Sequence, residues 1–390
     1  MPKEPAEFSL MLGGPLYQLY LRSKLARPPL ELLPRRMIVI PLIAWLPLAA
    51  LAVLTGNAAS GAKVPFLLDL EVHARFLAAV PLLIWAELVV HQRIGSLVQQ
   101  FLKRDIIAPE DRQRFDGIVA SAMGLRNSAG LEVLLIVLAF TLGYWLWKEH
   151  VALSAASWYG MPVAGHYQLT LPGYWYAFVS LPIFRFLMFR WYFRIFIWYR
   201  FLWQVSGLPL RLNSLHPDRA AGLGFLSSSL FAFAPVLLAH TVTLSGLIAN
   251  RIWHEAAKLP EFKLEISAMI AILMALVLIP LCFFIIHLAE TRRRATAEYA
   301  IFSGRYVADF RRKWTEGPAV SYESLLGSAD IQSLADLANS FEVVRQTRLL
   351  PFGKDTVLRL AIIILLPLLP LTLTMIPLEE MINRLIGILF

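Results

Sequence analysis

The sequence predicts an all-α polytopic transmembrane helix bundle, with about seven spans and a small cytoplasmic helical subdomain. Hydrophobic residues make up 58% of the 390 residues and charged residues 16%, with a mean hydropathy of +0.61. Soluble domains carry about 25% charged residues, so this composition excludes an ordinary soluble protein. Seven apolar stretches also have roughly the 20-residue length that a helix needs to cross a bilayer.

The seven stretches divide the chain into four regions. We place the spans at residues 37–56, 76–92, 130–147, 175–196, 223–249, 266–288 and 357–377. Residues 1–36 form a cytoplasmic or interfacial segment, and 37–289 hold the first six spans. The segment lacks the layout of a cleavable signal peptide, so the first span is expected to remain in the mature protein. Residues 290–356 form a cytoplasmic helical extension, and 357–390 hold the seventh span and a short external amphipathic helix.

The loop charges predict the orientation. Loops on the side of the N-terminus carry 25 Lys and Arg residues, whereas the opposite loops carry seven. The positive-inside rule therefore places the N-terminus in the cytoplasm, and seven crossings place the C-terminus in the periplasm. The net charge of +9 is explained by an anionic cytoplasmic leaflet, so no nucleic-acid partner is expected.

The sixth span is expected to continue beyond the membrane. From Glu290 to Trp314 the sequence contains no Pro and one Gly, which predicts a helix extending about 35 Å into the cytoplasm. Gly317 and Pro318 should end it, and residues 328–346 have the apolar periodicity of a second amphipathic helix. This extension is the predicted binding region for a cytoplasmic protein partner.

Ionisable residues inside a bilayer are costly, so each one is a candidate functional residue. Glu87 in the second span and Arg185 in the fourth each lie about 15–17 Å along helices of the same direction. Their equal depth predicts an ion pair. The pair either binds an anion or gates a pathway, or it is a structural pair that fixes the packing of two helices.

A polar stripe follows the fifth span. Ser229, His240 and Thr243 fall within about 60° of one another at 100° per residue. With Glu87 and Arg185 they form the predicted pore or substrate path, in which His240 would accept protons. The alternative interpretation is a packing histidine whose ring is hydrogen-bonded within the bundle.

A second candidate site lies nearer the cytoplasm. Arg190 and Arg194 are expected to extend to lipid headgroups or to line an inner vestibule. His216, Asp218 and Arg219 precede the fifth span, where they fit either a capped helix entry or a phosphate site at a helix start. His216 and Asp218 could also act as an acid and a base in a lipid-processing enzyme, but no nucleophile lies beside them.

The sequence contains no pattern that indicates a metal or cofactor site. Cys282 is the single cysteine, and the histidines are scattered without paired carboxylates. The sequence contains none of the signatures GxGxxG, P-loop, HExxH or GxSxG. We therefore expect no metal and no cofactor, and an enzyme is disfavoured.

Two stretches resemble those of an uncharacterised family of bacterial multipass inner-membrane proteins. They are residues 215–225, reading LHPDRAAGLGF, and residues 327–337, reading GSADIQSLADL. The resemblance runs from about residue 210 to the end. It implies a bacterial inner-membrane location, and it carries no activity.

Three functional hypotheses follow. The favoured one is a channel or transporter for an ion or small anion. The alternative is a non-transporting scaffold or signalling subunit that acts through 290–356, and the third is the lipid-processing enzyme. The expected partners are the lipid bilayer, other copies of the chain in a homo-oligomer, and a cytoplasmic protein at 290–356.

Overall fold

The chain folds into a helical bundle with one small β-hairpin. The computed structural model describes residues 8–150, 157–163, 166–316 and 329–375, without the side chains of 142–150 and 162–167. The elements, in chain order, are α1 (Pro15–Arg22), α2 (Leu33–Leu54), α3 (Leu70–Lys103), α4 (Pro109–Arg126), α5 (Ala129–His150), β1 (Gly160–Val163), β2 (His166–Leu169), α6 (171–206), α7 (Leu223–Glu255), α8 (Leu259–Trp314), α9 (Ala329–Arg345) and α10 (Lys354–Met375).

Five of these helices are long and apolar enough to cross a membrane, namely α2, α3, α7, α8 and α10. A sixth span is possible if α4 and the first part of α5, which meet at 45°, count as one broken span. The predicted fourth span, 175–196, lies within α6. Its arginines, together with its Tyr, Trp and Pro residues, lower its hydropathy. The full set of seven crossings therefore stays a prediction.

Helix α3 is the centre of the bundle and packs against α2, α6 and α7. Leu83, Val90, Ile94 and Phe101 on α3 are almost completely buried in one continuous hydrophobic core. Helix α7 approaches α3 most closely at Gly246, where a Cβ atom would lie 2.5 Å from the Cβ of Ala74. The central position of α3 places its single buried carboxylate, Glu87, among the neighbouring helices.

The β-hairpin closes one end of the bundle. Strands β1 and β2 are antiparallel, with Gly160 opposite Leu169. Just before β1, the indole N–H of Trp158 donates to the carboxylate of Asp69 at 2.8 Å, and Asp69 caps the start of α3. The hairpin end is therefore fixed to α3 by a buried polar contact.

The opposite end carries the predicted extension. Within α8, the helix runs unbroken from Ile285 to Trp314, and α9 packs along it. The ammonium of Lys313 lies 2.8 Å from the carboxylate of Asp330 at the start of α9. These helices occupy the places predicted from the sequence. Residues 317–328 and 376–390, which include the expected helix end at Gly317–Pro318 and the external helix, lie outside the described residues.

Candidate functional site

Glu87 lies at the centre of a buried group of charges. Its Oε2 accepts from Arg36 Nη1 at 2.5 Å, and its Oε1 accepts from Arg190 Nη1 at 2.7 Å and Arg194 Nη1 at 3.3 Å. The exposed fraction of Glu87 is 4%, and the three arginines are also buried. We refer to Arg36, Glu87, Glu132, Arg190 and Arg194 as the charge cluster.

The expected Glu87–Arg185 pair is not formed. Arg185 is only partly buried, and its electrostatic neighbours are Tyr176 and Arg75. Arg190 lies five residues further along the same helix, about 140° around it and 7.5 Å along it, and there it faces Glu87. Comparable depth therefore pointed to the wrong arginine as the partner of Glu87.

Arg190 and Arg194 are likewise buried within the bundle. The exposed fraction is 6% for Arg190 and 3% for Arg194, so neither extends to headgroups as expected. Both side chains turn towards α3 because the Glu87 carboxylate lies there. Charge-assisted hydrogen bonds are strong, and the attraction between opposite charges is larger in a low-dielectric core than in water. Both effects favour the contact with Glu87.

Arg36 and Glu132 were missed by the sequence analysis. Arg36 had been placed in the cytoplasmic segment, one residue before the first span, but α2 begins at Leu33 and carries Arg36 inward. Its guanidinium also lies over the ring of Tyr20, 5.2 Å from the centroid. Glu132 was within the predicted third span, and an acidic residue in an apolar span was the signal that could have found it.

Glu132 joins the charge cluster to α1. Its Oε1 lies 3.2 Å from Arg190 Nε, and its Oε2 accepts from the backbone N–H of Leu16 at 3.1 Å. One carboxylate therefore both neutralises an arginine and supplies the acceptor for a free N–H in the first turn of α1. This contact links α1 to α5.

The charge cluster is not electrically balanced. Within the described part of the chain, its three guanidinium groups face two carboxylates, which leaves one positive charge in excess. The Nε and Nη2 atoms of Arg36 find no hydrogen-bond partner among the residues that the structure describes. A cavity of about 20 Å³ adjoins the cluster, and its walls include Arg126, Arg190, Arg194 and Glu132. This volume admits about one water molecule or a similarly small anion.

A much larger groove begins on the other side of Glu132. It has a volume of about 770 Å³ and lies between α1, α5 and α6. Its walls are mainly apolar, with Leu19, Ile136 and Phe178 among the exposed side chains, and Arg22 on α1 is a charged side chain on its wall. Glu132 lines both the groove and the small cavity, so the two spaces meet at this carboxylate.

The predicted stripe of α7 makes local hydrogen bonds. Ser229 and Thr243 donate to carbonyls of their own helix, at 2.7 Å and 2.8 Å. His240 Nδ1 lies 2.7 Å from the carbonyl of Val236, and its Nε2 lies 2.6 Å from the hydroxyl of Tyr192. A carbonyl only accepts, so Nδ1 carries the proton and Nε2 accepts from Tyr192. These contacts support the packing interpretation, while the pore-lining role stays a prediction.

The stretch before α7 is organised by Asp218. Its carboxylate accepts from the backbone N–H groups of Ala220, Gly222 and Gly224, and His216 Nδ1 lies 3.0 Å from it. Partial burial acts to raise the pKa of this carboxyl, but the three amide donors and His216 outweigh it and hold the pKa below its usual range. Arg219 is exposed, with a φ of 54°. The geometry is that of a carboxylate-capped loop.

Within 8–150, 157–163, 166–316 and 329–375, no group of three or more His, Cys, Asp and Glu residues is arranged to hold a metal ion. Comparison with known proteins finds no matching family model, no matching curated protein and no matching solved structure.

Proposed function

We propose that the protein is a membrane channel or transporter for a small anion, and that the anion pauses beside the charge cluster. The observation that carries this proposal is the excess positive charge next to a cavity of about 20 Å³. A buried positive charge in a low-dielectric bundle costs free energy, and an anion entering the cavity offsets that cost.

Arg126 is the cavity-lining arginine that would attract an entering anion. It lines the cavity, and its guanidinium donates to Asn127 and to the backbone carbonyl of Ser9 rather than to a carboxylate. Its charge is therefore free to attract an anion, whereas Arg190 and Arg194 already bind Glu87. Arg126 would therefore attract the anion, whereas Arg190 and Arg194 hold the helices together.

The test is chloride flux from liposomes that contain the purified full chain. Arg126→Gln should lower the flux on the order of tenfold, which corresponds to about one lost favourable interaction at the limiting barrier. Arg114→Gln is the matched control, because Arg114 is an exposed arginine of the same helix. Absence of anion flux in the wild-type protein, or equal flux of cations and anions, would contradict the proposal.

We also propose that the protein lies in the inner membrane of a bacterium, with its N-terminus in the cytoplasm and its C-terminus in the periplasm. The uneven distribution of Lys and Arg between the loops supports this orientation. The resemblance of residues 215–225 and 327–337 to bacterial multipass proteins supports the location.

A second candidate function is a scaffold that binds a cytoplasmic protein at 290–356. Apolar side chains on α8 and α9, including Ile301, Phe302 and Ile331, are exposed in that region. A co-purifying protein that is lost when α9 is replaced by a polar helix would favour this function over transport. The lipid-processing alternative has less support, because the Asp218 carboxylate is already engaged by three backbone amides.

A further inference from the structure

The groove between α1, α5 and α6 is too large and too apolar to serve the small-anion site. Its volume of about 770 Å³ falls in the range of pockets that hold sizeable ligands, about 300–1,000 Å³. Its walls come from helices that themselves are rich in apolar residues, and their exposed side chains include Val133, Ile136, Phe140 and Phe178. A hydrocarbon chain matches these walls.

Apart from Glu132, the polar side chains that line the groove belong to α1. Gln18 and Arg22 of α1 line the groove, together with Leu16 and Leu19. Arg22 is exposed and makes no ion pair with any residue in the described part of the chain. Glu132 also lines the groove, but its charge is neutralised by Arg190. The uncompensated charge of the groove is therefore positive.

We propose that this groove binds one anionic glycerophospholipid taken from the bilayer. One of its two acyl chains lies between α5 and α6, and its phosphate is held by Arg22 and Gln18 on α1. The complementarity of an apolar wall with one uncompensated cation selects an anionic amphiphile over a zwitterionic lipid. This proposal is independent of whether the protein transports anions.

Binding in the groove would also act on the charge cluster. Glu132 lies between the groove and the small cavity, and it holds α1 through the N–H of Leu16. A lipid that fixes α1 therefore stabilises the Glu132–Arg190 contact. The lipid site is thus placed to support the charge cluster from the membrane side.

The proposal can be tested by native mass spectrometry of the detergent-purified full chain titrated with phosphatidylglycerol or phosphatidylcholine. Wild-type protein should bind one phosphatidylglycerol about fivefold more tightly than phosphatidylcholine, as expected for about one lipid-facing cation. Arg22→Gln should remove this preference, whereas Arg27→Gln, which alters an exposed arginine outside the groove, should keep it.

A second variant tests the apolar part of the site. Ile136→Trp should fill the groove and lower the affinity for both lipids, while Ile43→Trp, at an exposed position of α2, should not. Both positions are exposed, so the variants should fold. Equal binding of the two lipids by the wild-type protein, or unchanged binding by Ile136→Trp, would overturn the proposal. A lipid-free dimer that Ile136→Trp dissociates would instead assign the groove to a second copy of the chain.

Discussion

Arg36 Nη1 and Glu87 Oε2 lie 2.5 Å apart, and this contact joins the first turn of α2 to the middle of α3. Both side chains are buried, and Arg190 and Arg194 approach the same carboxylate from α6. Three helices thus converge on one glutamate. The packing of α2, α3 and α6 therefore depends on the charge of Glu87.

Glu87→Gln should destabilise the bundle strongly. The substitution leaves three buried guanidinium groups without their central carboxylate, and breaking a buried ion pair from one side costs about 3–5 kcal/mol. Thermal unfolding in detergent, followed by circular dichroism, measures the loss. Glu290→Gln is the control, because Glu290 pairs with Arg294 at an exposed position and should cost at most about 0.5 kcal/mol. Equal effects of the two substitutions would contradict the central role of Glu87.

Arg190 and Arg185 should differ in their importance for stability. Arg190→Gln removes contacts to both Glu87 and Glu132, and we expect a loss of at least about 2 kcal/mol. Arg185→Gln removes a half-buried charge without an ion pair among the described residues, so its effect should be small or favourable. Thermal unfolding in detergent measures the stability of both variants. A larger loss of stability for Arg185→Gln than for Arg190→Gln would favour the Glu87–Arg185 pair that helix depth predicts.

The loop around Asp218 should weaken at acidic pH. The folded-state pKa of Asp218 is lowered, so its contribution to stability is present above the ordinary carboxyl pKa and is lost as the pH falls through the lowered value. Wild-type protein should therefore keep this contribution down to about pH 4, the ordinary Asp pKa, and lose it progressively below that pH. Asp218→Asn should be less stable at neutral pH and should lose part of this pH dependence. Parallel curves for both proteins would show that the cap contributes nothing.

Gly246 should tolerate no larger side chain. A Cβ atom at this position lies 2.5 Å from the Cβ of Ala74 and 3.1 Å from the carbonyl of Leu70, so Gly246→Ala forces α7 away from α3. We expect a loss of about 1–3 kcal/mol from overpacking. Gly304→Ala on α8 meets open space and should stabilise its helix by about 0.5–1 kcal/mol. Thermal midpoints of the two variants should thus shift in opposite directions, and a shift of the same sign would contradict the close approach.

The position of the C-terminus tests whether the number of crossings is odd. Seven spans place a C-terminal epitope in the periplasm, where a protease added to spheroplasts digests it, whereas an N-terminal epitope is protected. Seven crossings require both the α4–α5 pair and α6 to cross, in addition to the five helices that are long and apolar enough. Protection of both epitopes would mean an even number of crossings and would contradict the seven-span prediction.

The sequence predicted the helices more fully than it predicted the charge cluster. The apolar lengths of α2, α3, α7 and α8 are local properties, and the extension to Trp314 follows from the absence of helix-breaking residues. The partners of Glu87 required more. Which arginine meets Glu87 depends on its depth along α6 and on the face of α6 that is turned towards α3. The sequence gives the depth, whereas the rotation of α6 is set by how the helices pack.

By itself the sequence determined that this is a mostly helical chain with several helices long and apolar enough to cross a membrane, and with a glutamate inside one of those apolar stretches. Only the tertiary structure decided that Arg36, Arg190 and Arg194 surround Glu87, and that Glu132 lines both a cavity of about 20 Å³ and a groove of about 770 Å³. The physical reason is that hydropathy and helix length depend on neighbours in the chain. A buried ion pair depends on which helix faces meet, and residues far apart in the chain decide that.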